Sequence, residues 1–177
     1  MRAYFNRPTV HQAEARFTYL GGTESQIPLG SSRPRRQFGL KLRAQDACNL
    51  VYAMWRFEPK EEVVVSVKRN AGQHASAECA NHGYINIQPD RRTAPPAIAA
   101  GQTHTLRAEL DGARIEVHAD GTLVWEGSID RNTLDFDGPV GMRSDNVRLR
   151  LELRAGAPAP APSQPATCRT GSEASEK

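Results

Sequence analysis

The chain of 177 residues lacks several features that commonly decide a protein's class. It contains no apolar run as long as a membrane-spanning helix requires, and its first residues, MRAYFNRPTVHQ, lack the apolar segment of a secretory signal. Its net charge is only +3, and its basic residues are scattered along the sequence instead of being clustered. We therefore expect neither membrane insertion nor nucleic-acid binding. The chain is long enough for one domain and too short for two domains of typical size.

Cysteine is scarce, because the chain has only Cys48, Cys79 and Cys168. Cys168 lies in a polar tail, and we expect it to have no structural or functional role. Cys48 and Cys79 both fall near the ends of predicted strands, where two loops can meet. A disulfide between them would indicate an oxidising compartment, and two free, inert thiols are the alternative interpretation.

The sequence also lacks any amphipathic helical segment and shows instead a strict alternation of apolar and polar residues. The clearest run extends from His104 to Arg154, and it is broken at Asp111-Gly112 and Asp120-Gly121, dipeptides that are typical of hairpin turns. Its alternating apolar positions are Leu106, Ala108, Leu110, Ile115, Val117, Ala119, Leu123, Trp125, Val147, Leu149, Leu151 and Leu153. This period of two predicts antiparallel strands with one buried face.

Further strands are predicted over 13–19, 37–43, 63–68 and 84–87. The segment 49–57, NLVYAMWRF, is apolar on both faces, so that it fits a strand covered on both sides or a short buried helix. Its Val, Tyr and Trp content favours the strand. About eight or nine evenly spaced short strands without helices predict an all-β, antiparallel two-sheet β-sandwich of the jelly-roll kind.

The sequence predicts three regions along the chain. Residues 1–12 have little pattern and are predicted to be a flexible lead-in. Residues 13–154 form the sandwich domain. Residues 155–177 begin with alternating Ala and Pro and continue with small polar residues, which cannot bury apolar surface, so we predict a disordered tail.

Two stretches, GQTHTLRAELDGARIEVHADGTLVWEG and DGPVGMRSDNVRLRLEL, resemble the closing half of the concanavalin A-like jelly-roll superfamily. That superfamily includes laminin G-like domains, legume lectins, many glycan-cleaving enzymes and the bacterial 3-keto-disaccharide hydrolase family. The middle of the chain resembles bacterial exported proteins of unknown role with the same fold. The resemblance implies a Cys48–Cys79 bridge and a secreted or periplasmic location. Measured against a complete jelly roll, the opening strand before Ala13 is short or missing, which suggests a chain start inside the domain.

The sequence has no recognisable catalytic motif. It lacks the Glu-x-Asp-x-Glu triplet of retaining glycosidases with this fold, and Glu58, Glu61 and Glu62 bracket a proline turn as surface acids. Polysaccharide-lyase strand motifs are missing too, since the run Arg150 to Arg154 has no Gln-x-His partner and is interpreted as charges that protect an edge strand. No Gly-x-Ser-x-Gly elbow occurs. We name no catalytic residue.

The sequence predicts neither a metal nor a cofactor. His74, Cys79 and His82 would need a fourth ligand to form a structural zinc site. Asp46, Asp145 and Asn146 are candidate calcium ligands, but turn formation by their side chains is the simpler interpretation.

The strands in the middle of the sequence supply a candidate ligand-binding face. If the apolar residues of 37–43 and 63–68 face the core, then Lys41 and Lys68 share the opposite face. Arg56 fits that polar face better than Trp55, whose ring contributes more in the core, and Tyr52 follows by the two-residue repeat. A ring among cations suits sugars, which stack on aromatic rings and accept hydrogen bonds. The alternative is an ordinary solvated face.

The resemblance, this polar face and the absence of a paired-acid motif together predict a non-catalytic carbohydrate- or surface-binding domain, with a glycan or a cell-surface ligand as its partner. The alternatives are a glycan-processing hydrolase of the 3-keto-disaccharide type, and a structural or adhesion domain attached through the Ala-Pro tail. The missing signal leaves the location open between an intracellular protein and a chain without the start of its precursor.

Overall fold

The computed structural model describes residues 2–4, 10–29 and 34–156. In this part of the chain, alternation produces twelve strands and one short α-helix. The strands are β1 (Arg2–Tyr4), β2 (Gln12–Gly22), β3 (Arg36–Leu42), β4 (Leu50–Glu58), β5 (Glu62–Lys68), β6 (Tyr84–Asn86), β7 (Arg91–Arg92), β8 (Thr103–Asp111), β9 (Arg114–Ala119), β10 (Thr122–Ser128), β11 (Gly141–Asp145) and β12 (Val147–Ala155). The helix α1 covers Ser76–Cys79, and a 3-10 turn covers Arg131–Thr133.

The strands form two six-stranded sheets in which every neighbouring pair is antiparallel. Sheet A has the order β1-β11-β3-β4-β5-β6, and sheet B has the order β12-β2-β8-β9-β10-β7. The predicted all-β, two-sheet sandwich is therefore confirmed. No helix among the described residues is long and apolar enough to cross a membrane.

Both hairpin turns that the sequence predicts are present: the second is Asp120-Gly121 itself, and the first is Gly112-Ala113, directly after Asp111. Asp111 pairs with Arg114 across the β8–β9 turn, and Ala119 pairs with Thr122 across the β9–β10 turn. Asp120 and Gly121 both have positive φ, 48° and 78°, as a two-residue turn between twisted strands requires. Glycine adopts this conformation without a steric penalty, and aspartate tolerates it.

The core lies between the sheets and is built from the apolar phase of their strands. Phe17 of sheet B meets Phe38 of sheet A at 4.8 Å between ring centroids, and Trp55 packs edge-on against Phe17 at 5.9 Å. Segment 49–57 is mostly strand β4, so the helix alternative is wrong. Its second face is also covered, because Leu50, Tyr52 and Met54 form a separate buried cluster with Ala44.

The structure differs from the sequence prediction at two places. Arg2–Tyr4 is a strand paired with β11, within the region predicted to be a flexible lead-in. Three residues are too few for an alternating pattern to be recognised, which explains the difference. The predicted loop 69–83 contains the helix α1. The rest of the lead-in up to position 9 and the tail from position 157 lie outside the described residues.

Strand β12 lies at the edge of sheet B, the position inferred from its charged run. Arg150, Glu152 and Arg154 are exposed there, while the leucines between them pack against the core. Charges along an edge disfavour pairing with another chain.

Candidate functional site

The outer face of sheet A, the face directed away from sheet B, carries buried charged side chains such as Lys41 and Lys68. One end of it is covered by the segment 69–83, which contains α1. Cys79 of α1 forms a disulfide with Cys48, which lies just before β4, and both residues are fully buried. The bridge implied by the resemblance is therefore present.

Lys68, at the end of β5, helps to hold this covering segment. Its Nζ donates hydrogen bonds to the carbonyl oxygens of Ala80 at 2.8 Å and Ala47 at 3.2 Å. It also lies 3.1 Å from Sγ of Cys79. A buried ammonium group needs such acceptors, because desolvation without them is costly. Sequence analysis predicted that Lys68 contacts a ligand, whereas in the structure its side chain holds the covering segment in place.

Asp46 organises the loop between β3 and β4. Its Oδ1 accepts hydrogen bonds from the backbone N–H groups of Cys48 and Asn49 at 2.7 and 2.8 Å. Its Oδ2 lies 2.7 Å from Nδ1 of His74, in the covering segment. Burial tends to raise the pKa of Asp46, but the bonds from His74, Cys48 and Asn49 outweigh burial and lower it. These contacts are those of a turn-forming aspartate.

The other candidate metal ligands also have protein partners. Asp145 forms an ion pair with Arg143, and Asn146 bonds the backbone of Ile27 and Arg35. Cys79 forms the disulfide, so it has no thiolate with which to bind a metal. Among the described residues no group of three or more His, Cys, Asp or Glu side chains is arranged to hold a metal ion.

Lys41, Tyr52, Arg56 and Lys68 all project from the outer face of sheet A, the arrangement predicted from the alternation, whereas Trp55 is in the core. The prediction that this face is exposed is wrong. Lys41, Tyr52 and Lys68 are 0%, 3% and 4% exposed, and only Arg56 is half-buried. The covering segment and the ring of Tyr84 account for the burial of Lys68 and Tyr52. The role of these four residues in binding stays a prediction.

A groove of about 370 Å³ remains open on this face. Its floor is aromatic, because the rings of Tyr52 and Tyr84 stack with centroids 6.1 Å apart. Tyr52 is buried, while Tyr84 on β6 is 39% exposed. Of the four residues predicted to bind a ligand, Tyr52 and Arg56 line the groove and Lys41 and Lys68 are not in its described lining.

Three guanidinium groups surround the aromatic floor, those of Arg35, Arg56 and Arg143. Arg56 bonds Glu62 at 2.9 Å. Arg143 bonds Asp145 at 2.8 Å, stands 5.5 Å from the centre of the Tyr52 ring and donates to the Tyr84 hydroxyl at 3.4 Å. Burial would lower the pKa of Arg143, but Asp145 and the two tyrosines outweigh it and raise the pKa.

The remaining lining is a mixture of amides and apolar groups. Gln37, Asn81, Asn86 and Ser66 supply polar atoms, and Leu29, Met54 and Val64 supply apolar contact. Gln37 Nε2 donates to Oδ2 of Asp145 at 2.7 Å. The groove therefore combines a ring, fixed cations and hydrogen-bonding groups, a set typical of small-molecule sites.

Sequence reasoning missed Tyr84 and Arg143. The sequence did contain a signal for Tyr84. Ile85 and Ile87 alternate with Tyr84 and Asn86, so if the two isoleucines face the core, Tyr84 and Asn86 face the opposite side of the sheet. For Arg143 there was none, since its position beside Tyr52 depends on the pairing of β11 with β3, strands that are far apart in the sequence.

Together, the two stacked antiparallel sheets define the class, an all-β two-sheet sandwich, and the groove lies on the outer face of one of them. No protein-family model matches the chain, and no curated protein sequence matches it significantly. Solved structures do match its fold.

Three of them illustrate the likeness. The carbohydrate-binding module CBM66 from Bacillus subtilis has 16% identity and a TM-score of 0.56, over 82% of this chain and 73% of the module. A tetrameric galectin from the ball sponge Cinachyrella has 13% identity and a TM-score of 0.51, over 89% of this chain and 99% of the galectin. Congerin II, in a structure with lactose and MES, has 11% identity and a TM-score of 0.53, over 87% and 98%. At these identities the likeness concerns the fold alone.

Proposed function

We propose that this protein is a carbohydrate-binding domain and that its ligand binds in the groove on the outer face of sheet A. The observation that carries the proposal is the half-exposed ring of Tyr84, which is stacked on Tyr52 and surrounded by guanidinium and amide groups. A sugar ring presents apolar CH groups on one face and hydroxyl groups around its rim. The groove offers a partner to each.

The stacking platform is already in place before any ligand binds. Tyr52 stacks against Tyr84, and Arg143 donates a hydrogen bond to the Tyr84 hydroxyl. Ordering these side chains therefore adds little entropic cost to binding. The fold likeness to a carbohydrate-binding module and to galectins supports the proposal without identifying a ligand.

The arrangement of acids favours binding over hydrolysis. Glycosidases need a pair of carboxyl groups that are free to act as acid and nucleophile or base. Among the described residues the groove lining includes no Asp or Glu, and Glu62 and Asp145, which bond its guanidiniums, are held in ion pairs. We therefore propose a non-catalytic domain.

The disulfide supports a secreted or periplasmic location, because such bridges persist mainly in oxidising compartments. This location is also the one in which extracellular glycans or cell-surface ligands are encountered.

The test is a glycan array followed by titration of the strongest binder. Tyr84→Ala is expected to weaken binding by about 1–3 kcal/mol, by analogy with bases stacked on aromatic rings. A modest fall in melting temperature is expected as well, because the change uncovers part of Tyr52, but the protein should stay folded. The matched control is Ile85→Ala, the next residue on β6, which is 44% exposed on the other phase of the strand.

Three results would contradict the proposal. They are the absence of any glycan binder, equal losses from Tyr84→Ala and Ile85→Ala, and turnover of the bound oligosaccharide into products. The last result would support the hydrolase alternative.

A further inference from the structure

We propose that the groove is selective for acidic sugars and that Arg35, Arg56 and Arg143 bind their carboxylate or sulfate groups. This inference rests on the carbohydrate-binding role proposed above, and it names the class of sugar. It depends on the balance of charge around the groove, on the way the guanidiniums are held, and on their position relative to the aromatic floor.

The charge of the described groove lining is of one sign, because the lining holds three arginines and no acidic residue. Glu62 bonds Arg56 and Asp145 bonds Arg143. Two further cations lie beside the floor, because Lys41 Nζ is 6.0 Å from the centre of the Tyr52 ring and Lys68 Nζ is 5.3 Å from that of Tyr84. A concave site with low-dielectric walls concentrates such a field and attracts anions.

The state of Arg35 reflects this imbalance. Burial and the neighbouring charge of Arg56 lower the pKa of Arg35, and Glu62 offsets them only in part. The charge on Arg35 is thus opposed by a second guanidinium that lines the same groove. An anionic group bound near both would favour each charge and relieve their repulsion.

The guanidiniums are also held in position. Glu62 fixes Arg56 through Nη1, and Asp145 fixes Arg143 through Nε. A guanidinium presents several N–H donors in a planar fork that matches a carboxylate or sulfate group. Fixed forks beside a stacking ring suit a sugar whose ring lies on Tyr84 and whose acidic substituent points towards the arginines.

The experiment compares matched pairs of oligosaccharides that differ only in charge, at about 0.15 M salt, where long-range attraction between exposed charges is screened. The pairs are trigalacturonate and its methyl ester, glucuronate–N-acetylglucosamine oligomers and their methyl esters, and sulfated and unsulfated galactose oligomers. We expect at least one acidic member to bind about tenfold or more tightly than its neutral partner, as charge-assisted hydrogen bonds imply. The pairs also separate carboxylate from sulfate recognition.

The variants are Arg35→Gln and Arg56→Gln, with Arg150→Gln as a control that removes the same charge from the exposed side of β12. Each groove variant is expected to reduce the ratio of affinities for the acidic and neutral members about tenfold, beyond any loss of hydroxyl contacts that both members share. Arg150→Gln is expected to leave both unchanged. Thermal melts establish that each variant is folded.

The outcomes separate this inference from the function it rests on. If neutral glycans bind as tightly as acidic ones and Tyr84→Ala weakens both, the selectivity is wrong and the carbohydrate-binding role stands. If Arg150→Gln is as harmful as Arg35→Gln, the attraction is general to the basic surface and the inference is wrong. Failure of every acidic oligosaccharide to bind overturns it as well, and failure of all glycans overturns both proposals.

Discussion

The two tyrosines of the groove are neighbours in space but have different roles. Tyr52 is 3% exposed and packs with Leu50 and Met54, so its ring contributes mainly to stability. Tyr84 is 39% exposed and stacks beside it, so it is the member of the pair that a ligand can reach. Replacing Tyr52 is therefore expected to affect folding and binding together, which makes Tyr84 the cleaner position for testing recognition.

At the same scale, Asp46 makes the stability of the loop before β4 depend on pH. The pKa of Asp46 is lowered in the folded protein, so its contribution to stability is present above the unfolded value near 3.8 and is lost as pH falls through the folded pKa. At pH 7, Asp46→Asn is expected to reduce the free energy of unfolding by about 1–3 kcal/mol, the usual cost of losing bonds to a charged acceptor.

Urea unfolding of the wild type and of Asp46→Asn at several pH values between 7 and 3 measures this effect. The difference between the two proteins should shrink once the pH falls below about 4, where the unfolded carboxyl group becomes protonated. A difference that stays constant down to pH 3 would show that the charge of Asp46 has no part in it.

At the scale of elements, segment 69–83 with α1 is joined to the sandwich by anchors of several kinds. The disulfide, the bonds of Lys68 and the pair of His74 with Asp46 join it to sheet A. The four-residue helix is too short to be stable by itself. Since Asn81 of this segment lines the groove, the anchors also determine the shape of the groove.

The bridge should accordingly stabilise the protein by about 3–4 kcal/mol, the value that chain entropy suggests for a loop with a sequence separation of 31. Thermal melts of the wild type with and without reductant should show a clear fall in melting temperature on reduction. The control is the double variant Cys48→Ala with Cys79→Ala, whose melting temperature should not respond to reductant. An equal response in both proteins would mean that the reductant acts elsewhere.

At the scale of the whole molecule, the sequence predicted what alternation can encode. The Asp-Gly hairpins, the two-sheet sandwich and the core position of Trp55 all follow from a period of two and from turn chemistry. The burial of Tyr52 was not predictable, because alternation assigns a side chain to a face and says nothing about the segment that covers that face. The cluster of Arg35, Arg56 and Arg143 depends on the long-range pairing of β3 with β4 and β11.

We expect the sandwich to need its last strand, and this limits where the chain can be shortened. Strand β12 closes one edge of sheet B by pairing with β2, and Leu149, Leu151 and Leu153 pack against the core. A chain ending at Asn146 loses those side chains and exposes the edge of β2. Partial burial of three leucines is worth about 3–6 kcal/mol, which is comparable with the whole stability of a typical domain of about 5–15 kcal/mol.

We therefore expect a chain ending at Gly156 to melt close to the full-length protein, because the sequence 157–177 is rich in Ala, Pro and small polar residues and offers little to pack. A chain ending at Asn146 should be unfolded or insoluble, since the loss of β12 removes most of the margin by which the domain is stable. Circular dichroism melts of the three chains test both expectations. A full-length protein that melts well above the chain ending at Gly156 would show that residues 157–177 contribute to the folded domain, and it would overturn the boundary predicted near Arg154.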